Sequence, residues 1–473
     1  MDALRSKEVR SGAARPGTAL FYALVFATVF FVDCRPATAL PAFARKYGMP
    51  CSSCHEAWPM LSPFGQRFKD NGYQLGNDRD APIFQQAAYW PATFRITPYW
   101  HRESTNKAQV DGPDGASADE AKVTTHTFDL SGLDFHTGGT LANNFSFYVL
   151  PSSDPTASFH FESVWARMDN VFNTPWINIK MGKFELDNLL SEKRILTLTS
   201  IAGTYFNYHF QPFVKPGVTE GYTFGIGDNQ LGLEWMGHSA DDRTRVSAAL
   251  LSQNDGQVQV NGSAGSAVNR AYGGFFAASR AFEIGNLGLQ RVGGFVYLGQ
   301  ASTYFQYTNG GVGVPGTGIG NQGFQRYGLI GMWYIKNFDI TTIYFHGHDS
   351  AFLGTDTASG GPNNPTGALP AGAQAPAWNG ALFESHYMFN PQIILINRYE
   401  LVRMSQQAFS SNPGNLGNAD VLTFGARYYP FISSRAGFAY HGEYSIIWQK
   451  GASPVSFSNL TTSALLFGFD FDF

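Results

Sequence analysis

Hydrophobic and polar residues alternate along most of the chain after Thr93, in stretches of roughly 10–15 residues separated by turn residues. A period of two, with one apolar and one polar face, is typical of a strand between lipid and a wet lumen. Four stretches show it most clearly, with apolar residues opposing polar ones as follows: Ala436, Phe438, Tyr440, Tyr444, Ile446 and Trp448 against Arg435, His441, Glu443 and Ser445; Leu422, Phe424, Ala426 and Tyr428 against Thr423 and Arg427; Phe159, Phe161 and Trp165 against His160 and Glu162; Leu465, Phe467, Phe469, Phe471 and Phe473 against Asp470 and Asp472.

This alternation predicts sixteen strands, near 92–103, 122–136, 139–150, 158–170, 176–186, 228–238, 243–253, 270–283, 288–302, 324–336, 338–349, 377–389, 391–404, 419–430, 434–449 and 459–473. The segment 217–227 is a further candidate, so a count of fourteen to eighteen stays open.

Gaps after the first, fifth, ninth and eleventh strands are long, and those after the second, eighth, tenth and twelfth are tight. Short periplasmic turns and long external loops alternate in this way in outer-membrane barrels. An even strand count places both termini in the periplasm. The loops 309–323 and 354–376, rich in Gly, Pro, Asn and Ala, are expected to be mobile.

Composition narrows the class of protein. The chain is 44% hydrophobic and 15% aromatic but only 14% charged, against about 25% charged residues in a typical soluble domain. Its aromatic content argues against disorder, and it lacks the roughly 18-residue apolar runs of a helical membrane protein. A soluble β-sandwich would also alternate, but aromatic residues at alternate positions up to a terminal Phe473 resemble the end of an outer-membrane barrel. We therefore predict an all-β transmembrane barrel over 91–473, in a bacterial outer membrane.

The N-terminus has the pattern of a secretory signal. Four basic residues precede an apolar stretch over 18–32, and Ala37-Thr38-Ala39 then offers a cleavage site. We predict a signal peptide over 1–39; a retained anchor is the alternative, and the stretch is short for one. The formal net charge of −4 argues against a nucleic-acid partner and is compatible with cationic solutes.

Cys51-Ser-Ser-Cys54-His55 contains the two cysteines that remain after the predicted cleavage. C-x-x-C-H is the attachment pattern of haem c: two thiols bind the porphyrin covalently and the next His is placed to ligate the iron. A disulfide and a thioredoxin-like redox pair are the alternatives, although the latter needs a βαβ context that is absent here. We predict one covalent haem c held by Cys51, Cys54 and His55.

The segment 40–90 is predicted to be a short, mainly helical haem c segment. Ser62 followed by Pro63 reads as an N-cap and first helical residue, and Asn71-Gly72 would end that helix. Some 50 residues are few to bury a haem, so we expect the segment to sit in or against the barrel mouth. Met60 and His101 are candidates for the distal iron ligand, and Met60 is also a plausible packing residue.

The residues around this motif resemble a known family. The run PAFARKYG from Pro41 to Gly48 directly precedes the C-x-x-C-H motif, and Pro63-Phe-Gly65, Phe68 and Asn71-Gly72-Tyr73 follow it. This pattern, from Pro41 to Tyr73, is similar to the fused monohaem cytochrome c–porins, outer-membrane proteins best known from iron-oxidising bacteria. The resemblance implies a haem c plug in a porin, electron uptake from extracellular Fe(II), and Cys51, Cys54 and His55 as the haem residues.

Two functions from different classes follow. In the first, a single haem in the barrel passes electrons from an external donor to a periplasmic cytochrome or other carrier. In the second, the barrel is a solute-diffusion porin whose haem is structural or sensory; a haem-linked scaffold within a larger conduit is a third possibility.

Predicted lumen-facing carboxylates either favour cations or merely solvate the pore, and they are Glu162, Glu400, Glu443, Asp470 and Asp472. His346 and His348, with Asp349, either bind a metal or are ordinary surface histidines. Hydrolase and kinase motifs are not found.

Overall fold

A computed structural model describes the chain at residues 43, 47, 49, 53–57, 60–70, 73, 75, 92–115, 117–142, 144–153, 159–186, 229–252, 272–302, 306–309, 312–315, 321–350, 375, 377–390, 392–404, 418–432, 437–451, 453–456 and 458–472. Contacts divide the chain into two units, Met1–Ala39 and Leu40–Phe473, and every described residue belongs to the second. Within these ranges no helix is long and apolar enough to cross a membrane. The predicted signal peptide and the candidate strand 217–227 lie outside the described residues.

Among the described residues of the N-terminal part, a small two-stranded sheet precedes a helix. β1 (His55–Ala57) pairs antiparallel with β2 (Met60–Leu61), and α1 (Pro63–Asp70) follows. The Ser62 hydroxyl accepts a hydrogen bond from the Gly65 backbone N–H at 3.1 Å, which caps the helix as the sequence predicted. Proline at the first helical position costs nothing there, because its missing N–H would have no partner within the helix. The β1–β2 pair was not predicted, since two such short strands leave no alternating pattern.

Sixteen antiparallel strands form a closed barrel, in which each strand pairs with its neighbours in the chain and the last strand pairs with the first. They are β3 (Ala92–Asp111), β4 (Ala118–Ala142), β5 (Phe145–Ser153), β6 (Phe159–Met168), β7 (Asn178–Glu185), β8 (Asn229–His238), β9 (Thr244–Ser252), β10 (Tyr272–Glu283), β11 (Leu289–Ser302), β14 (Asn321–Ile335), β15 (Phe338–Asp349), β16 (Ala377–Asn390), β17 (Ile393–Met404), β18 (Ala419–Ile432), β19 (Gly437–Gln449) and β20 (Leu460–Asp472). The predicted fold class and all sixteen predicted strands are confirmed.

The first two barrel strands are longer than expected. β3 and β4 continue as a hairpin beyond Thr105, the last residue of β3 that pairs with β20. The predicted break between the second and third strands, at 137–138, is wrong, because β4 runs through it to Ala142. The turn comes instead at Asn144, whose φ of 63° suits an asparagine. Gly138 leaves room for the Tyr148 ring on β5, so the glycine marks a close approach rather than a turn.

A second difference concerns the loop 309–323. β12 (Gln306–Asn309) and β13 (Val312–Pro315) form a separate two-stranded sheet, and β14 begins at Asn321. Tyr307 and Thr308 of β12 and Val312 and Val314 of β13 have high strand propensity, which favours a short hairpin in a stretch that its glycines had marked as a loop. The other predicted loop, over 354–376, lies outside the described residues except for residue 375.

Connections between strands alternate in length around the barrel. At one end, which we call the short-turn end, neighbouring strands are joined by stretches such as 239–243, 284–288 and 336–337. At the other, long-loop end, the strands are separated by stretches such as 186–228, 253–271 and 350–376. β3 begins and β20 ends at the short-turn end.

The barrel wall has an apolar outer face and a buried inner face. On β19, Tyr440 and Trp448 are exposed on the outer face, whereas His441 and Glu443 are buried on the inner one, as predicted. Phe424 on β18 is likewise exposed. Comparable large apolar side chains are exposed around the barrel, including Phe159, Phe161, Met181, Leu250, Leu298, Leu329, Tyr344, Phe383, Leu395, Tyr428, Tyr444, Phe467 and Phe469. Arg435, Ala436 and Phe473 lie outside the described residues.

Trp165 lies on the opposite face of its strand from the one predicted. It was expected beside Phe159 and Phe161, but it is buried, with 8% of its surface exposed. The pairing of β5 with β6 shifts register between Leu150 and Pro151, which leaves Glu162 as an extra residue. A bulge of one residue reverses which face the following side chains occupy. Trp165 therefore points inward.

Aromatic rings cover glycines along part of the inner wall. Gly380 lies directly opposite Phe345, and Gly347 lies directly opposite Trp378. A Cβ at Gly380 would come within 1.9 Å of the Phe345 ring, and one at Gly347 within 2.1 Å of the Trp378 ring. The rings thus lie flat against the wall, and only glycine permits that approach.

Candidate functional site

The C-x-x-C-H motif is fixed to α1 by its own backbone. The Ser62 N–H donates to the Cys54 carbonyl at 2.8 Å, and the Ser62 hydroxyl donates to the Ser53 carbonyl at 3.1 Å. Gly65 packs directly on Cys54, where a Cβ would lie 1.9 Å from the Cys54 carbonyl oxygen. A single serine therefore caps the helix and holds the motif against its first turn.

Cys54 is a half-buried, free thiol. Burial raises the pKa of the Cys54 thiol to about 11, so the sulfur stays protonated at neutral pH. Cys51 lies outside the described residues, and of His55 the structure describes only the backbone, at the start of β1. The predicted haem attachment is therefore not tested by these residues and stays a prediction.

Aromatic side chains pack around Phe68 of α1. Phe43 stacks on Tyr73 with ring centroids 4.5 Å apart, and Phe68 meets both Phe43 and Tyr47 edge to face. The Tyr47 hydroxyl donates to the Tyr73 carbonyl at 3.2 Å, and the Tyr73 N–H donates to the Phe68 carbonyl at 2.9 Å. We call these four residues the aromatic cluster. Phe68 lies on the helix whose Gly65 packs on the half-buried Cys54, so apolar rings that could cover a porphyrin lie on the element next to the motif.

The aromatic cluster joins the motif to the barrel. Tyr73 stacks on Tyr148 of β5 at 5.5 Å and on Trp165 of β6 at 6.1 Å, both on the inner wall. Phe68 and Tyr73 belong to the same buried cluster as Trp165 and Phe184 of the wall. The segment thus packs against the inside of the barrel, which agrees with the expectation that so short a segment needs cover from it.

Ion pairs hold α1 at two further points. Lys69 pairs with Glu185, the last residue of β7, at 2.5 Å. Arg67 lies 3.9 Å from the carboxylate of Asp242, in the short turn between β8 and β9. The two pairs tie α1 to β7 and to the turn between β8 and β9.

Arginines converge on Asp242, a feature that the sequence did not reveal. Arg245 donates to both carboxylate oxygens, at 2.9 and 2.7 Å, and Arg291 donates to the Asp242 carbonyl at 2.6 Å. The Arg291 guanidinium lies 4.0 Å from the Asp242 carboxylate, and His238 lies 3.9 Å from it. We call Arg67, Arg245 and Arg291 the arginine cluster. Its members lie far apart in the chain and share no motif, so only the barrel register brings them together.

Predicted lumen-facing carboxylates are buried in a polar band along the inner wall. Asp470, 1% exposed, accepts hydrogen bonds from Arg427 at 2.6 Å and from Thr97 at 2.8 Å. Glu384, which was not among the predicted carboxylates, is also buried and pairs with Arg398 and with His386.

The other four predicted carboxylates are placed as follows. Glu400 and Glu443 are also buried, which confirms their inward position. Glu162, the bulge residue, accepts a hydrogen bond from Ser152 at 2.9 Å. The side chain of Asp472 lies outside the described residues.

Candidates for the distal iron ligand are placed only in part. His101 lies on β3 opposite the inward-facing Leu466, with its ring 5.6 Å from that of Tyr99. Met60 lies in β2, and only its backbone is described. The identity of the distal ligand therefore stays a prediction.

The suggested metal site at His346, His348 and Asp349 is wrong as a set. Neighbouring residues of a strand alternate between faces, so Asp349 is buried on the inner face, where it pairs with Arg326 at 2.5 Å. The His346 ring hydrogen-bonds Asn379 at 3.0 Å on the outer face. No group of three or more His, Cys, Asp or Glu residues that could hold a metal ion occurs among the described residues.

Comparisons with known proteins give structural neighbours only. No protein-family model matches the sequence, and curated protein sequences give no match. Among solved structures, outer-membrane OmpT of Vibrio cholerae has a TM-score of 0.42 at 11% identity, covering 80% of this chain and 98% of that chain. An anion-selective porin from Comamonas acidovorans has a TM-score of 0.43 at 11% identity, with coverage of 80% and 98%. The outer-membrane channel DcaP of Acinetobacter baumannii has a TM-score of 0.44 at 9% identity, with coverage of 80% and 97%. None of these comparisons assigns the chain to a family.

Proposed function

We propose that this chain is an outer-membrane electron-transfer protein with one covalent haem c. Cys51 and Cys54 bind the porphyrin, and His55 ligates its iron. Electrons enter from an extracellular donor such as Fe(II) and leave to a periplasmic cytochrome or another carrier. The observation that carries the proposal is that α1, whose Gly65 packs on Cys54 of the C-x-x-C-H motif, lies with the aromatic cluster against the inner barrel wall.

The outer surface supports the membrane location. Leu329 is 64% exposed and Phe467 is 54% exposed, although both are large apolar residues. An apolar band of this kind is stable when lipid covers it, and a closed barrel leaves no strand edge unpaired within the bilayer. Long loops face outward in such barrels, so the short-turn end, where β3 begins and β20 ends, would lie in the periplasm.

The residues of the segment have separate tasks in this proposal. A bound haem supplies one-electron chemistry, which no side chain in the segment offers by itself. Ser62 and Gly65 position the motif, and the aromatic cluster excludes water from it. Lys69 and Arg67 tie the segment to the wall.

A diffusion porin with a structural or sensory haem is the second candidate. The closed barrel and its ion-paired inner wall favour it, because a polar lining is what a solute pore requires. In that case the haem would stabilise the N-terminal segment or act as a sensor, without transferring electrons across the membrane.

One reconstitution experiment separates the two functions. The mature chain, made in a host that matures cytochromes c, is inserted into liposomes that enclose a soluble cytochrome c, and Fe(II) is added outside. Reduction of the enclosed cytochrome by the wild type but not by a C51A/C54A variant supports the electron route. Free entry of small sugars, with the haem left oxidised by Fe(II), would instead establish the porin.

A further inference from the structure

Asp339 is a buried carboxylate whose oxygens make no hydrogen bond to the chain. It is the second residue of β15, beside the short turn 336–337, and only 1% of its surface is exposed. Neither carboxylate oxygen has a hydrogen-bond partner in the part of the chain that the structure describes. Buried carboxylates in native proteins are normally hydrogen-bonded, paired with a cation or bound to a metal ion. This one therefore calls for a ligand.

His386 offers a second unpartnered atom at the same place. It lies directly opposite Asp339 on β16, and both residues belong to the buried inner face of their strands. Cβ atoms of directly opposed residues in an antiparallel pair lie about 4.5–5.5 Å apart. His386 is 2% exposed, and its Nδ1 has no hydrogen-bond partner among the described residues. Two buried side chains with unused polar atoms thus adjoin each other on neighbouring strands.

Glu384 determines which nitrogen of the His386 ring carries the proton. The Glu384 carboxylate accepts a hydrogen bond from Arg398 Nε and lies 2.5 Å from His386 Nε2. Because an ionised carboxylate only accepts hydrogen bonds, Nε2 carries the proton, and Nδ1 of the neutral ring keeps its lone pair. Metal-binding histidines have this arrangement, in which a carboxylate holds the second ring nitrogen and orients the ring. His386 is thus prepared to donate its Nδ1 lone pair to a cation.

Charge balance favours a cation at the same place. Asp339 and Glu384 bring two negative charges, and Arg398 brings one positive charge. One negative charge among these three residues is therefore uncompensated, although none of the three is more than 2% exposed. Charges held away from water are stable only when a charge of opposite sign lies beside them.

We propose that Asp339 and His386 bind a divalent first-row transition-metal ion. Zinc, ferrous and manganous ions accept carboxylate oxygen and imidazole nitrogen as ligands. The described residues contain no group of three His, Cys, Asp or Glu side chains for a metal, so two protein ligands hold the ion and water molecules complete its coordination. The ion joins β15 to β16 beside a short turn, and its binding does not require the haem.

Separate variants test each part of the site. D339N removes the charge of one ligand, H386Q removes the ring nitrogen of the other, and E384Q removes the carboxylate that orients the ring. H346Q is the matched control, because His346 lies on the same pair of strands but its ring hydrogen-bonds Asn379 on the outer face.

The first measurement is zinc content after equilibrium dialysis of the full mature chain against Zn²⁺. D339N and H386Q should each bind one zinc fewer per chain than the wild type, and H346Q should bind as many as the wild type. E384Q should bind the same ion about 10–100-fold more weakly, as loss of an orienting carboxylate does. Zinc bound elsewhere, at the C-x-x-C-H motif or on the surface, is common to these variants and does not affect the comparison.

The second measurement is unfolding by urea in lipid vesicles. With a chelator present, D339N should unfold at the same or a higher urea concentration than the wild type, because it removes a buried, unpaired charge. Added Zn²⁺ should stabilise the wild type and H346Q but not D339N, since a ligand that binds only the folded state stabilises it.

Three results would overturn the inference. They are zinc content unchanged in D339N and H386Q, equal zinc loss in H346Q, and a D339N chain that does not fold in the presence of chelator. Each of them leaves the proposed electron transfer untouched, because the haem motif is not altered in any variant.

Discussion

Tyr73 and Trp165 stack with ring centroids 6.1 Å apart and planes only 13° from parallel. Tyr73 belongs to the N-terminal segment and Trp165 to the inner wall. Their contact exists because a one-residue bulge turned Trp165 inward. This pair joins the predicted haem segment to the barrel.

Replacing Trp165 with leucine should loosen the segment without unfolding the barrel. Aromatic pairs contribute about 0.5–1.5 kcal/mol beyond their buried area, and the wall keeps its strand pairing. Limited proteolysis should cut W165L faster within residues 40–90 than the wild type, while the heat-modifiable mobility of the folded barrel is unchanged. A Y73L/W165L double-mutant cycle supplies the control. Additive effects of the two changes would show that the rings do not interact.

Gly380 should not tolerate a side chain. A Cβ there would meet the Phe345 ring at 1.9 Å, whereas Gly274 has open space around its own position. We expect G380A to reduce the free energy of unfolding by about 1–3 kcal/mol, as forced overpacking does. G274A should change it much less. Urea titration of both variants in lipid vesicles measures the difference, and equal stability would show that the ring does not lie over the glycine.

A charged side chain on the apolar outer face should destabilise the barrel if lipid covers that face. Leu329 on β14 is 64% exposed on the apolar outer face. Arginine near the middle of a bilayer destabilises a barrel by about 2–4 kcal/mol, so L329R should unfold at lower urea concentration in vesicles. Ser117, in the exposed turn between β3 and β4, supplies the control. If L329R and S117R unfolded at the same urea concentration, the apolar outer face would not be embedded in lipid.

Cys54 should react slowly in protein that lacks haem. Burial raises the pKa of its thiol from 9.0 to about 11, so the thiolate at a given neutral pH is about 100-fold scarcer. In a C51S background, alkylation by iodoacetamide should be slower by roughly that factor than at an engineered S117C. Its rate should rise tenfold per pH unit until the pH approaches 11. A rate that levels off near pH 9 would show that the thiol is exposed.

The barrel could be predicted from the sequence because the alternation of apolar and polar residues within each strand shows which side chains face outward and which face inward. The alternation around Tyr440 and Glu443 needs no knowledge of neighbouring strands, and a closed barrel follows once enough such strands are counted. Even the helix cap at Ser62 is a local signal.

Contacts that depend on register could not be predicted in the same way. Trp165 changes face because of pairing with β5, which no local pattern encodes. Arg67 and Arg291 meet at Asp242 only after the barrel closes around the segment. The C-x-x-C-H motif could therefore be found from neighbouring residues in the sequence. The residues around it come from distant parts of the chain and could not be predicted in that way.

The mass of one peptide tests the central claim most directly. Trypsin cleavage after Lys46 and Arg67 releases residues 47–67, which contain Cys51, Cys54 and His55. From protein made in a host that matures cytochromes c, this peptide should carry the added mass of one haem and absorb in the Soret region. The unmodified peptide, recovered from a fully folded barrel, would contradict the account.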